Sequence, residues 1–199
     1  MTFTYSSKNQ LIFGVGAQHQ LKELLAAYHP TAILFVYSGD YVFDLGIRDE
    51  VKQAADALGA RLYENGDVVP NPHIELVRTL VDEARANHVD FVLAAGGASS
   101  FDTAKAVGVG VPYQGDVWDL FDGTATPAET LPVGVISTIP GSGSEVSDCA
   151  VLQQGHDKRA LETRLIIPEF AIVNPEYSRT APLRHQAAAV ADLAVGFLE

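Results

Sequence analysis

Two clusters of small residues offer chemistry in this 199-residue chain. The first is Gly96-Gly97-Ala98-Ser99-Ser100-Phe101-Asp102, which follows an apolar run from Phe91 and opens a helical pattern. Gly96 and Gly97 lack the β-carbon that would hold a bulky ligand away from the backbone. Ser99 and Asp102, three residues apart, have the spacing of a capping-box pair, and the free amides of such a helix start attract a phosphate. An ordinary strand-to-helix turn accounts for the same residues equally well. The second cluster is Gly141-Ser142-Gly143-Ser144, whose hydroxyls and backbone amides suit the pyrophosphate or a ribose of a cofactor. Ser144 is not read as a hydrolase nucleophile, because no G-x-S-x-G elbow surrounds it. Asp40, after the apolar run Ala32–Tyr37, has the type and place to accept hydrogen bonds from ribose hydroxyls and to repel a 2′-phosphate, or to sit in a solvated loop. Asp192 is the one acid among apolar positions of the last helix, a metal ligand by type or a solvent-facing residue.

These residues need a scaffold, and the hydrophobic pattern supplies one. Ala32–Tyr37 and Phe91–Ala95 are continuous apolar runs, as expected of strands buried on both faces of a parallel sheet. Between them come a helix carrying Val51, Ala54, Ala55 and Leu58 up to Gly59, a weaker strand at Arg61–Glu64, the rigid Pro70-Asn71-Pro72 loop and a helix with Ile74, Val77, Leu80, Val81 and Ala84 on one face. Upstream, Leu11–Phe13 reads as a strand and Leu21, Leu24 and Leu25 as one helix face. Gly14-Val15-Gly16 fails as a dinucleotide fingerprint because His19 stands where the third glycine belongs. Downstream, Gly115–Gly123 reads as an acidic, aromatic loop. Further strands are expected near residues 131–138, 150–152 and 171–173, with a polar segment containing Lys158 between the last two. The alternation of strand and helix predicts an α/β fold, a doubly wound Rossmann-like parallel sheet with ligands at the carboxyl ends of its strands. The final apolar helix, from about residue 182 to Glu199, stops without a cap, the pattern of a chain cut short.

Composition narrows the partners. A net charge of −12, with thirteen Lys and Arg against twenty-five acids, argues against nucleic acid and anionic membrane surfaces. The single cysteine, Cys149, leaves no disulfide framework and points to a reducing cytoplasm. No apolar run is long enough to span a bilayer, and the first residues lack a signal-peptide pattern. The apolar face of the last helix predicts a homodimer or larger assembly.

Gly96-Gly97-Ala98-Ser99 with Asp102, Ala104 and Lys105 resembles the GGGSxxDxAK motif of the iron-containing (group III) alcohol dehydrogenases. Pro70-Asn71-Pro72, Gly143-Ser144-Glu145 and the Asp192–Glu199 block are similar to that family's PNP, GTGSE and DALxHxxE motifs in the same order. The loop at Gly115–Asp119 resembles the butanol dehydrogenase and NAD(P)H-dependent aldehyde reductase branch more than glycerol dehydrogenase or dehydroquinate synthase. The resemblance implies a dehydroquinate synthase-like nucleotide-binding domain at residues 1–181. Residues 182–199 would be the first helix of an all-helical metal-binding domain otherwise missing from the chain. It implies hydride transfer between a nicotinamide cofactor and an aldehyde or alcohol, with Fe2+ or Zn2+ polarising the oxygen. By position it puts the pyrophosphate on Gly96, Gly97, Ala98 and Ser99, with Asp102 beside them. Thr138 and Ser142 would lie near the nicotinamide half, Asp40 near the adenine ribose, Lys158 near the cofactor, and Asp192 as first metal ligand.

Two departures from the family pattern carry consequences. The histidine expected four residues after Asp192 is Gly196, and His185 lies seven residues before it, about 10 Å away along a helix axis. One carboxylate does not hold iron or zinc, so the chain reads as a nucleotide-binding half inactive alone, or as a degenerate dinucleotide-binding or subunit-association protein. Where the branch usually carries a serine and following lysines, this chain has Asp40, Phe43 and Asp44, which favours NAD(H) over NADP(H).

Overall fold

A computed structural model describes residues 7–139 and 141–196, apart from the side chains of residues 185, 192, 193, 195 and 196. Six parallel strands form its centre: β1 (Gln10–Phe13), β2 (Ala32–Tyr37), β3 (Arg61–Asn65), β4 (Phe91–Gly96), β5 (Val133–Ser137) and, after a separate hairpin of β6 (Cys149–Gln154) and β7 (Asp157–Glu162), β8 (Phe170–Val173). Their order across the sheet is β1-β8-β5-β4-β2-β3. The helices are α1 (Leu21–Ala26), α2 (Tyr41–Asp44), α3 (Ile47–Leu58), α4 (Ile74–Ala86), α5 (Ala98–Gly110), α6 (Trp118–Asp122) and α7 (Leu183–Gly196).

Every residue of β2 and β4 is buried, because helices cover both faces of the sheet. Successive side chains point to opposite faces, so Leu34, Val36, Val92 and Ala94 join one core with α4 and α5, while Ile33, Phe35, Phe91 and Leu93 join the other with α1 and α3. Thr31 and Ala32 are tied to the start of β4 by Asp90, whose carboxylate accepts both backbone N–H groups at 2.9–3.1 Å. In β5, a β-carbon on Gly134 would collide with the ring of Phe170, which stacks on Phe91 at 5.9 Å between centroids. Glycine here makes room for an aromatic layer. Helix α5 is buried along its whole length from Ser100 to Gly110, which explains why it lacks an amphipathic pattern. A β-carbon on Gly110 would come within 2.7 Å of Val81, so that glycine lets α5 pass close to α4.

The topology creates the crevice. From β2 the chain moves outward to β3, and from β4 it moves the other way to β5 and β8. The order therefore reverses between β2 and β4, whose carboxyl ends flank a gap open to ligand. Two expectations are corrected. The acidic loop holds a short helix, α6, because Asp116 accepts the Trp118 N–H at 2.9 Å and is itself held by Arg78 at 2.9 Å. The polar segment with Lys158 is strand β7, paired antiparallel with β6 from Gln154–Asp157 back to Cys149–Glu162. Among the described residues no helix is long and apolar enough to cross a membrane.

Candidate functional site

Strand β4 ends at Gly96, whose φ of +141° is a conformation that side chains rarely adopt. A β-carbon there would also meet Ser100 Oγ at 2.6 Å. Gly97 differs: its backbone is extended, and an added β-carbon would meet only Ile139, at 3.4 Å. Gly96 is thus demanded by the turn, and Gly97 is the residue that bares backbone to the crevice. Helix α5 starts at Ala98, so Ser99 lies inside its first turn and no side chain caps it. The capping-box expectation for Ser99 and Asp102 fails for this reason. Ser100 and Phe101 donate their N–H groups to the Gly97 carbonyl, whereas those of Ala98 and Ser99 precede any intrahelical acceptor.

A cleft of about 580 Å³ runs across the switch point. Ser38 and Tyr41 line it from the β2 side, Gly97, Ala98 and Ser99 from the β4 side, Thr138 and Ile139 from β5, and Tyr177 with Thr180, Ala181 and Pro182 from the segment before α7. Thr138 is fixed by donating its N–H to the Gly96 carbonyl at 2.9 Å. The Tyr41 hydroxyl lies 3.3 Å from Ser38 Oγ and 3.4 Å from Thr138 Oγ1, spanning the two lips. Ala98 and Ser99 also line a smaller cavity of about 150 Å³, together with Asn71, Asp102, Val151 and Lys158. There Lys158 donates to Asn71 Oδ1. Asn71 holds a φ of +57° between its two prolines, and the Pro72 carbonyl accepts Gln153 N–H at 2.9 Å, which docks the β6–β7 hairpin against the loop.

The structure therefore brings Gly97, Ala98, Ser99 and Thr138 into one cleft, and Ala98, Ser99, Asp102 and Lys158 around the adjoining cavity. Gly96 sits beneath the turn. Asp40 is exposed at the start of α2, one residue before Tyr41. Ser142 is exposed outside both cavities, its Oγ accepting the Ser144 N–H at 3.2 Å. Asp192 lies on the backbone of α7, but its side chain lies outside the described residues.

Sequence reasoning missed a buried polar chain behind the cleft. Lys105 is wholly buried and donates to Ser144 Oγ at 3.0 Å, the Ser147 carbonyl at 3.0 Å and the Cys149 carbonyl at 2.8 Å. Ser144 Oγ in turn donates to Asp102 Oδ1 at 2.7 Å, and the other oxygen of Asp102 accepts Val151 N–H at 3.1 Å. Burial pushes the Asp102 carboxyl up from its ordinary range against the pull of these hydrogen bonds and of Lys105. Burial also lowers Lys105 to about 8, with Asp102 opposing. The signal was present: Lys105 and Asp102 stand in a helix that is otherwise built of apolar and small residues, and a lysine there needs buried partners. Tyr41 and the segment Tyr177–Pro182 carried no signal of chemistry in the sequence.

The family model described as iron-containing alcohol dehydrogenase matches residues 8–175. The chain is 33% identical over 193 residues to the probable NADH-dependent butanol dehydrogenase 1 of Bacillus subtilis, covering 96% of this chain and 50% of that protein. It is 32% identical over 202 residues to the NADPH-dependent aldehyde reductase YqhD of Escherichia coli, covering 99% and 51%. The crystal structure of NADH-dependent butanol dehydrogenase A from Thermotoga maritima superposes with a TM-score of 0.92 at 28% identity, over 100% of this chain and 50% of that one. The chain thus spans about half the length of the curated relatives it matches.

Proposed function

We infer that this chain, which belongs to the iron-containing alcohol dehydrogenase family, is the nucleotide-binding half of a butanol dehydrogenase-like enzyme that passes a hydride between NAD(H) and an aldehyde or alcohol. The observation that carries this reading is the cleft at the β2/β4 switch point with the first turn of α5 in its wall. There the amides of Ala98 and Ser99 meet the pyrophosphate, Gly97 lets it approach, and Thr138 orients the nicotinamide half. Asp40 accepts the adenine ribose hydroxyls and disfavours a 2′-phosphate. Lys158 and Asp102 border the adjoining cavity, and Ser142 stands on the loop beyond Thr138. The bound nicotinamide supplies the hydride chemistry, while the chain's own residues bind, orient and enclose it.

Iron is the metal in the family's description, with zinc the alternative that the sequence resemblance implies. Among the described residues no three His, Cys, Asp or Glu side chains gather where a metal ion would be held, so no step is assigned to one. We take residues 1–181 as the dinucleotide unit and 182–199 as the start of a helical unit, with no turnover by the chain alone. Gly196, one helical turn after Asp192 where the family pattern has histidine, favours a second reading: a chain that binds a dinucleotide, or joins related subunits, without chemistry. Leu183 and Val190 on α7 are 82% and 66% exposed, which supports a dimer or larger assembly, to be checked by light scattering. The compartment we infer is the cytoplasm.

The test is a fluorescence titration of the chain with NADH, with NADPH as comparison. Saturable NADH binding, tighter than NADPH, supports the reading, and a folded chain that binds neither overturns it.

A further inference from the structure

The buried polar chain ties α5, whose start forms one wall of the cleft, to the segment that follows the lip at Thr138. Helix α5 carries the bare amides of Ala98 and Ser99 at its start and, one and two turns later, Asp102 and Lys105. All three acceptors of Lys105 belong to residues 144–149, the segment that links the lip at Thr138 and Ile139 to β6. Ser144 is gripped from both sides, by Asp102 and by Lys105, and its N–H holds the Ser142 hydroxyl. An ammonium with three donors satisfies all three acceptors at once, whereas a neutral amine donates only two hydrogens and must release one. The network is long-range in sequence, with 39 to 49 residues between partners. It serves no purpose internal to α5.

We infer that Lys105 is a positioning residue for dinucleotide binding: its ammonium, with Asp102 and Ser144, fixes residues 144–149 against α5 so that the lip at Thr138 faces the start of α5. This rests on the reading of the cleft as a dinucleotide site. Other titratable or charged groups that bear on the ammonium are Asp102 of α5, Glu145 and Asp148 of the connecting segment, and Cys149 of β6. Burial brings Lys105 to about 8, within reach of ordinary buffers. As pH rises through that value the third hydrogen bond is lost and the segment loosens, so NADH affinity falls. Over the same interval an unwelcome buried charge disappears, so the fold becomes more stable. A lysine that served stability alone would give no such opposition.

The experiment titrates the whole chain with NADH between about pH 6.5 and 9.5, for the wild type, Lys105→Met and Ser144→Ala, with thermal melts alongside. The wild type is expected to lose affinity on the order of tenfold across the interval, the size of effect that follows a lost charge-assisted hydrogen bond. Lys105→Met is expected to bind about tenfold more weakly at neutral pH with a flat profile, and Ser144→Ala, which leaves Lys105 two acceptors that a neutral amine also serves, to weaken binding and flatten the slope. A flat wild-type profile, or a Lys105→Met profile that matches the wild type, overturns the inference. If Lys105→Met does not fold, the opposition between affinity and melting temperature in the wild type decides. NADH binding with a flat profile defeats this inference alone, while no binding at any pH defeats the dinucleotide reading and this inference with it.

Discussion

The hydroxyl of Tyr41 stands 3.4 Å from that of Thr138, so a side chain from the first residue of α2 reaches across the cleft to the residue that follows β5. At that length, and with its other contact to Ser38 at 3.3 Å, the phenol is weakly held, and on the proposed reading a dinucleotide entering the cleft would displace it at little cost. The ring, more than the hydroxyl, is then what a ligand meets. Tyr41→Phe should keep NADH affinity within about threefold, whereas Tyr41→Ala should weaken it about tenfold through lost apolar contact. A fluorescence titration separates the two, and equal losses in both variants would assign the effect to the hydroxyl instead.

Gly96 and Gly97 are neighbours with different duties, and alanine distinguishes them. Gly96→Ala forces a side chain into a left-handed backbone and against Ser100, and should cost about 1–3 kcal/mol of stability, read from the midpoint of urea unfolding. Gly97→Ala leaves an allowed backbone and a nearest neighbour at 3.4 Å, so stability should change by less than about 1 kcal/mol. NADH affinity should nevertheless fall about tenfold, because the methyl group stands between the ligand and the backbone. A Gly97→Ala chain that binds as tightly as wild type would remove Gly97 from the site.

On the proposed reading, Asp40 sets the preference between cofactors through charge. The next basic residue along the chain, Arg48, is already engaged by Glu64 at 2.8 and 2.9 Å and is not free for a 2′-phosphate. Asp40→Gly should strengthen NADPH binding about three- to tenfold and weaken NADH binding about threefold, narrowing the ratio. Because Asp40 is exposed, the NADPH gain should shrink at about 0.5 M salt. An unchanged NADPH affinity would show that the 2′-phosphate lies elsewhere.

Burial on both faces wrote the central sheet into the sequence. Ala32–Tyr37 and the run from Phe91 are apolar throughout because helices cover them above and below, and the 3.6-residue periodicity of α3 and α4 marks those helices. From those elements alone the switch point follows, and with it the place of Gly97 and Ser99. Strand β7 was illegible because of its residues only Leu161 is buried, leaving no alternation to detect. The pairing of Asp102 with Ser99 fails for a different reason. Local spacing paired it with Ser99, while its actual partners, Ser144 and Val151, are 42 and 49 residues away. Tertiary contacts of that range leave no mark on spacing, although a lysine inside a helix of small and apolar residues is a mark of another kind.

The same lysine shapes the dependence of stability on alkaline pH. Lys105 is lowered by burial from 10.5 to about 8 in the folded chain, so between those values the unfolded chain holds the extra proton and stability rises with pH. Its favourable contribution is fully present only above 10.5 and is lost as pH falls through about 8. Tyr28 and Tyr177 act in the opposite sense. Burial, joined by the nearby charges of Glu169 and Glu50 respectively, raises both from 10.0 to about 12, so their contribution is complete below 10 and is lost as pH rises through about 12. The two trends together place the highest melting temperature near pH 10, with a rise from about pH 8 and a fall beyond about pH 11. Lys105→Met should abolish the rise while leaving the alkaline fall, and Tyr177→Phe should soften the fall while leaving the rise. Melts by circular dichroism at one-unit pH intervals read both limbs. A melting temperature that declines steadily from pH 8 in the wild type would mean that the Lys105 ammonium is better satisfied by Ser144, Ser147 and Cys149 than its burial implies.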